Sequence, residues 1–257
     1  MIAELQVSRC DGAQILRLSR PEKRNALTSP MYAALADAIE AGDDDRAVAA
    51  HVIIGSGGVF TAGNDLGDFM STARGTGELG RDVLRFIRLL PVTRKPLIAA
   101  VDGMAIGIGT TLLFHCDLVY ATPASIFATP FLDLGLIPEA ASSLLMPKRM
   151  GYARAFEMLI LGERMTADAA VGAGFVNKIV ATDGLEAAAI DAARRLADKP
   201  PEALATARRL MRGDPAAILA RIEAEAAEFR ERLKSPEATE AFTAFFEKRP
   251  PNFRKSV

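Results

Sequence analysis

The stretch 105–143 limits the possible folds more than any other part of this chain. It opens with two glycines around a single residue, Gly107-Ile108-Gly109, and continues into the apolar run 112–114. Residues 117–122 follow with the apolar content of a buried strand. Because small residues allow a helix and a strand to approach closely, the stretch predicts a helix packed tightly on a sheet.

Strand and helix patterns alternate over the first part of the chain. Asp11-Gly12 lies between two alternating apolar–polar segments and is a strong hairpin signal. A helix capped by Thr28 is predicted over 30–41, a solvated turn over 43–45, and a second helix over 79–90. The predicted strands are 2–9, 13–19, 51–54, 96–101, 117–122 and 175–180. This alternation indicates an α/β domain.

Helical patterns dominate the end of the chain, where prolines at 200–201, 215 and 236 separate them. The predicted helices are 152–162, a short helix capped by Thr166, 184–197, 201–212, 215–233 and 236–248. We therefore predict a core, 1–183, and a helical C-terminal oligomerisation region, 184–257, for which a lid module is the alternative. A symmetric oligomer is expected to use the apolar side chains of this region, such as Ile218, Leu219, Ile222 and Phe229.

Charge and composition narrow the class of function. The 31 basic and 32 acidic residues give a net charge of −1, which offers no electrostatic basis for binding nucleic acid or an anionic membrane. The longest apolar runs have about ten residues, too few to span a bilayer. Residues 1–9 include Glu4 and no long apolar core, so no secretory signal is expected. Cys10 and Cys116 are too few for a disulfide framework or a zinc site, so we expect no metal and a reducing cytoplasm.

Glu139 is the candidate acid or base. It stands alone among small and apolar residues, after Asp133 and before Glu157. Two interpretations are open: an acid at the start of a helix, or a general base whose pKa is raised by burial. Asp133 is the rival acid, and for it we favour a role in capping or bonding its turn. His115, on an apolar helix, is expected to be a buried packing residue.

Several segments together resemble a known family. They are FTAGNDL at 60–66, GMAIGIG at 103–109, CDLVYAT at 116–122 and a G-x-x-P turn directly before Glu139. With these segments most of the chain resembles the crotonase (enoyl-CoA hydratase/isomerase) superfamily. The segment 129–151 is similar to the peroxisomal-type Δ3,Δ2-enoyl-CoA isomerases. The implied fold is α/β, a crotonase-like spiral of ββα units over 1–183 with a helical C-terminal trimerisation region.

The resemblance also implies a set of site residues. Glu139 stands where that isomerase branch has its catalytic base, and Thr111 and Phe131 stand where hydratases have two glutamates. The amides of Ala62 and Ile108 correspond to the oxyanion hole, where each donor is typically worth about 3–4 kcal/mol. The implied contacts to substrate and coenzyme A are Lys23, Arg24, Ala26, Leu27, Gly63, Asn64, Asp65, Leu66, Phe131 and Lys248.

By this resemblance the expected function is an acyl-CoA double-bond isomerase, Δ3 to Δ2, of fatty acid metabolism. It would need no cofactor beyond the coenzyme A of its substrate and would be a cytoplasmic homotrimer or homohexamer. One carboxylate near C2 and C4 can both remove and return a proton. The alternatives are an enoyl-CoA hydratase or another crotonase activity such as thioester hydrolysis, and a non-catalytic acyl-CoA-binding homologue. Phe69, Met70 and Phe131 indicate an apolar acyl pocket.

Overall fold

Two β-sheets form the framework of the computed structural model, which describes residues 2–65, 67 and 80–255. Its strands are β1 (Leu5–Cys10), β2 (Ala13–Leu18), β3 (Ala50–Gly55), β4 (Leu97–Val101), β5 (Met104–Ile106), β6 (Leu118–Ala121), β7 (Ile126–Ala128), β8 (Met165–Thr166) and β9 (Lys178–Ile179). The first sheet has the strand order β1-β2-β3-β4-β6-β9, and the second has the order β5-β7-β8. The predicted α/β class is confirmed.

The hairpin between β1 and β2 forms at the predicted dipeptide. Asp11 and Gly12 have φ angles of 48° and 80°, the positive values that a two-residue hairpin turn requires. These two strands are antiparallel, while the other pairings of the larger sheet are parallel. Parallel pairing needs a crossover between successive strands, and helices supply most of these crossovers.

The predicted helices are present with shifts of a few residues at their ends. Those described are α1 (Ser29–Asp44), α2 (Arg81–Leu89), α3 (Ile108–Thr111), α4 (Ser142–Met150), α5 (Tyr152–Leu159), α6 (Ala167–Gly172), α7 (Leu185–Ala197), α8 (Pro201–Arg212), α9 (Ala216–Leu233) and α10 (Pro236–Glu247). The sequence patterns missed α4, which contains Pro147. Thr28 and Thr166 are N-cap residues as predicted, but only the Thr166 side chain accepts a capping bond.

The prediction of a solvated turn at 43–45 is wrong for Asp43. Asp43 lies in α1, and its side chain is only 6% exposed. Its carboxylate accepts bonds from the backbone N–H groups of Arg94 and Lys95 and lies 3.1 Å from His51 Nε2. These bonds hold the loop before β4 against α1. They also give the buried carboxylate of Asp43 the donors that it needs.

The larger sheet is covered on both faces. Leu16 of β2 and Ile53 of β3 belong to the main apolar cluster, together with α1. Their neighbours Ile15 and Val52 point to the other face and pack against α7 in a second cluster. Since α7 covers the sheet directly, it packs as part of the core body, and the division at residue 183 stays a prediction.

The apolar face of α9 packs on its own chain. Ile222 and Phe229 are buried, and Ile218 and Leu219 pack against the main cluster. Ile222 and Phe229 are therefore covered by their own chain, whereas Ile218 and Leu219 are only partly buried, so an oligomer interface on this face stays a prediction. Large exposed apolar side chains occur elsewhere on the described surface, including Tyr152, Phe156, Leu161, Leu210, Met211, Phe245 and Phe246.

Some sequence predictions fall outside the part of the chain that the structure describes. These are Leu66, Phe69 and Met70. Among the described residues no helix is both long and apolar enough to cross a lipid bilayer. Within the same ranges, no cluster of three or more His, Cys, Asp or Glu is arranged to hold a metal ion.

Candidate active site

A cleft between α2 and α9 contains Glu139. It encloses about 550 Å³ of empty space, part of which is open to solvent. Its walls are mostly apolar, with contributions from Val83, Leu84, Ile87, Ile222, Ala226, Phe229 and Leu233. The described polar lining includes Glu139, Glu225, Asn64 and Arg230. An apolar cleft with a few convergent polar groups is the usual form of a small-molecule site.

Glu139 is a buried carboxylate with a perturbed pKa. It is 8% exposed, and the Thr111 hydroxyl donates to its Oε1 atom at 2.6 Å. Burial raises the pKa of Glu139 to about 8, the Thr111 hydrogen bond opposes the rise, and the nearby Glu225 adds to it. Helix α4 begins only at Ser142, so the interpretation of Glu139 as an acid in a helical first turn is wrong. What remains is a buried carboxyl group beside a cleft, with its pKa raised to about 8.

The turn after Glu139 has an uncommon backbone. Ala140 and Ala141 have φ angles of 57° and 56°, in the left-handed region that non-glycine residues rarely adopt. His115 Nε2 lies 2.8 Å from the Ala140 carbonyl oxygen, and Glu225 Oε2 accepts from the Ala141 N–H at 2.6 Å. His115 is buried as predicted, but it also makes this specific polar contact.

Glu225 is the site residue that the sequence patterns missed. Glu225 lies on α9 and is 6% exposed. It lines the cleft although it is far from Glu139 in the sequence. A signal for it exists: Glu225 lies three residues after Ile222 and four before Phe229, which places an acid on the buried face of the helix. A buried charged residue usually has specific partners, and here these are the N–H groups of Ala141 and Ser143 and the Ser143 hydroxyl.

The two glycine-containing loops lie side by side. The Thr61 N–H donates to the Met104 carbonyl, and the Ile106 N–H donates to that of Thr61. Gly63 has a φ angle of 90°, and a Cβ atom there would lie 2.7 Å from the Ile106 carbonyl oxygen. Only glycine allows this close approach, which brings Gly63 next to Ile106 and Gly107.

The hydrogen bonds of these loops do not support Ala62 as an oxyanion donor. Its N–H donates to the Arg24 carbonyl oxygen at 2.9 Å, so that amide is already occupied. Asp65 N–H is also bonded, to the Leu27 carbonyl. The N–H groups of Asn64 and Ile108 make no hydrogen bond to another described residue. Since Asn64 lines the cleft with Glu139, the available amide of this loop is two residues later than expected.

The loop expected to contact coenzyme A is ordered by a buried asparagine. Asn25 donates to the Ser56 and Val59 carbonyls, and its Oδ1 accepts from the Arg20 N–H. Arg20 in turn forms an ion pair with Asp65 at 2.7 Å. Asp65 therefore stabilises the loop.

The other predicted contact residues differ in exposure. Lys23 and Arg24 are exposed, and Ala26 is half-buried. Leu27 is buried in the main cluster. Lys248 is exposed at the end of α10 with a φ angle of 55°, and it is not among the lining residues of the cleft. None of these placements tests a contact with coenzyme A, so those contacts stay predictions.

The two positions compared with hydratase carboxylates are both buried. Thr111 contacts Glu139 directly, which places that position at the candidate base. Phe131 is 6% exposed and belongs to the main cluster. Asp133 is exposed in the 3₁₀ turn Leu132–Leu134, so it is not a buried rival to Glu139.

The fold and the cleft define an α/β protein with a largely apolar cleft of the form that small-molecule sites usually have. The sequence model of the enoyl-CoA hydratase/isomerase family matches residues 11–256. A crystal structure of an enoyl-CoA hydratase/isomerase from Pseudoalteromonas atlantica superposes with a TM-score of 0.92 at 39% identity, over 97% of this chain and 99% of that one. The chain therefore belongs to the enoyl-CoA hydratase/isomerase family, and the predicted crotonase fold is confirmed.

The curated relatives include proteins named for different reactions. The chain is 36% identical to enoyl-CoA delta isomerase 2 of Rattus norvegicus over 93% of its own length, but it spans only 62% of that protein. It is 32% identical to 2,3-dehydroadipyl-CoA hydratase of Escherichia coli, over 98% of this chain and 99% of that one. Membership of the family therefore leaves the choice between isomerisation and hydration to the residues of the site.

Proposed function

We propose that this chain is an acyl-CoA double-bond isomerase that converts a 3-enoyl-CoA to the 2-enoyl isomer. The observation that carries the proposal is Glu139, a buried carboxyl at the cleft whose pKa is raised to about 8. Threonine and phenylalanine occupy the two positions compared with hydratase glutamates, Thr111 and Phe131. A carboxyl that titrates near the working pH is suited to both accept and return a proton.

In the proposed reaction the thioester carbonyl oxygen accepts from the amides of Asn64 and Ile108. The Glu139 carboxylate removes a proton from C2, and the electron pair forms an enolate whose charge these two amides stabilise. The same proton then returns at C4 as the double bond moves to C2–C3, so no atom is gained or lost. Each amide donor would contribute about 3–4 kcal/mol at the transition state. No cofactor is needed beyond the coenzyme A of the substrate.

A direct comparison of two reactions tests this function. We expect the wild-type protein to isomerise 3-enoyl-CoA esters of several chain lengths much faster than it hydrates 2-enoyl-CoA esters. Both reactions change the absorbance of the conjugated thioester. Glu139→Gln keeps the size of the side chain and removes the base, so isomerisation is expected to fall about 10²–10⁴-fold with ester binding retained. Asp133→Asn, at an exposed acid of the same segment, is the matched control.

The outcomes separate the candidate functions. Faster hydration than isomerisation, or a Glu139→Gln variant that still isomerises well, refutes the proposal. Release of free coenzyme A instead indicates thioester hydrolysis, and binding without turnover indicates a non-catalytic acyl-CoA-binding homologue.

The anion-binding amides have their own test. Ile108 is the first residue of α3, a position where proline is tolerated because its N–H has no partner within the helix. Ile108→Pro removes one donor without breaking a bond of the helix, but it also replaces a side chain buried in the main cluster, so folding is checked first. In the folded variant we expect turnover to fall about 10²-fold or more. Near-normal turnover in a folded variant would exclude the Ile108 amide from the site.

Hydration is the second candidate, because the cleft contains a second buried carboxyl group, Glu225. Hydratases use two carboxylates to position and activate water. Both oxygen atoms of Glu225 already accept bonds from the segment 141–143. An acid held in this way has less capacity to activate water, so isomerisation stays the favoured function. A homotrimer or homohexamer in the cytoplasm is part of the same proposal.

A further inference from the structure

The strained turn after Glu139 needs an explanation from its surroundings. Ala140 and Ala141 are consecutive residues with positive φ angles of 57° and 56°. The left-handed region is unfavourable for non-glycine residues, and such a conformation persists only where the surrounding structure fixes it. The turn lies directly between Glu139 and the start of α4, so whatever fixes it also fixes the backbone that bears the candidate base.

Two buried side chains bond to this turn, one from a segment before it in the sequence and one from a segment after it. His115 Nε2 is 2.8 Å from the Ala140 carbonyl oxygen, and since a carbonyl only accepts, this nitrogen carries the hydrogen. Glu225 Oε2 accepts from the Ala141 N–H at 2.6 Å, and Oε1 accepts from the Ser143 N–H at 3.1 Å. We call His115 and Glu225 the turn clamp. It binds both polar backbone groups between the two alanines, the carbonyl and the following N–H.

The charges around Glu139 come from several elements. Glu225 and Arg230 on α9 line the same cleft, and Arg221 of that helix donates to the Ser143 hydroxyl. His115 is buried and neutral, since burial lowers its pKa to about 4. Burial also raises the pKa of Glu225, which the bonds from Ser143 and Ala141 oppose. Glu225 is therefore the acid whose charge opposes ionisation of Glu139.

We propose that Glu225 is a positioning residue for Glu139: with His115 it clamps the Ala140–Ala141 turn and holds the Glu139 carboxyl at the cleft, a role that rests on the function proposed above. The contact also links α9 to the candidate base. The helix that forms one wall of the acyl cleft is thus bonded, through one carboxylate, to the segment that carries out proton transfer. Neither clamp residue takes part in the reaction itself.

Glu225→Gln is the first test, with Glu223→Gln as the matched control. Glu223 lies on the same helix but is about half exposed and pairs with Arg88. For Glu225→Gln we expect kcat at its high-pH plateau to fall at least tenfold, with KM changed less than twofold. We also expect the acidic limb of the kcat/KM profile to move to lower pH, because a neighbouring negative charge is lost. Glu223→Gln is expected to change neither quantity.

The second test uses the other half of the clamp. His115→Leu removes the donor to Ala140, and we expect a loss of kcat similar to that of Glu225→Gln. His115→Gln keeps an N–H at nearly the same position as Nε2, so it is expected to restore most of the activity. If the glutamine variant is as impaired as the leucine variant, the hydrogen bond to Ala140 has no positioning role.

A direct titration separates failure of this inference from failure of the proposed function. With ¹³C-labelled glutamate, the Glu139 carboxyl can be assigned by its loss in Glu139→Gln and followed by NMR without any substrate. A displaced titration midpoint in folded His115→Leu, which removes no charge and leaves Glu225 in place, supports the clamp even if the wild-type protein isomerises nothing. An unchanged midpoint overturns it, whatever the effect on melting temperature, because a merely structural role would lower stability and leave Glu139 unaffected.

Discussion

Replacing Thr111 by valine is expected to raise the pKa of Glu139. The Thr111 hydroxyl is buried and donates to Glu139 Oε1 at 2.6 Å, and this bond holds the pKa of the acid below the value that burial alone would give. A hydrogen bond to a charged group contributes about 1.5–3 kcal/mol, and one pKa unit corresponds to about 1.4 kcal/mol. Thr111→Val keeps the shape of the side chain, so the pKa is expected to rise by about one to two units.

The shift has a characteristic effect on the rate. At pH 7 both proteins hold Glu139 mainly protonated, and the variant has about 10–100 times less of the ionised base. We therefore expect kcat/KM for 3-enoyl-CoA isomerisation to be lower by that factor at pH 7 and to recover at high pH. Thr111→Ser, which keeps a hydroxyl, is the control. An acidic limb at the wild-type position in Thr111→Val would refute the reasoning, because either the hydrogen bond does not lower the pKa of Glu139 or Glu139 is not the base.

Two further predictions concern stability. The folded-state pKa of Glu139 is raised from 4.5 to about 8, so the folded protein binds more protons than the unfolded chain between these values and loses stability as pH rises through that window. Glu139→Gln removes this loss, so above pH 8 its free energy of unfolding in urea is expected to exceed that of wild type by a few kcal/mol. Near pH 4.5 the two proteins are expected to differ little. An equal gain in stability at both pH values would contradict the raised pKa. Gly63→Ala places a Cβ atom 2.7 Å from the Ile106 carbonyl and is expected to cost about 1–3 kcal/mol and displace the Asn64 amide. Gly172→Ala, at a helical glycine with no atom within 4 Å of the added carbon, is the control, and an equal melting temperature for both variants would contradict the close approach.

The sequence predicted well those helices and turns whose ends depend on neighbouring residues, such as prolines and hairpin dipeptides. Proline residues and helical periodicity placed α8 and α9 within one residue of their observed bounds, Pro201–Arg212 and Ala216–Leu233. Asp11-Gly12 placed the first hairpin. Asp43 was predicted wrongly because its environment is long-range: an acid at the end of a helix is usually solvated, and only the fold brings the amides of Arg94 and Lys95 to it.

The assignment of Ala62 shows the limit of a motif. The segment 60–66 correctly marks a loop beside the glycines of 103–109, but the motif does not say which amide in it is free. In this loop the N–H groups of Ala62 and Asp65 bond to the neighbouring loop, while that of Asn64 does not. Which N–H groups of this loop are bonded depends on how the loop pairs with residues 24–27. Moving by two residues, from Ala62 to Asn64, replaces a bonded N–H with one that does not bond to that segment.

The partners of Glu225 could not be predicted from the sequence for a related reason, because they are more than eighty positions away from it. Periodicity can place an acid on the buried face of α9, but it cannot name the amides that will meet it. A buried carboxylate without donors would cost several kcal/mol, and here Ala141 and Ser143 supply two N–H groups and a hydroxyl. Residues of α9 line the cleft, and Glu225 also bonds this helix to the turn after Glu139. The helical end of this chain therefore completes the site, whatever further part it has in oligomerisation.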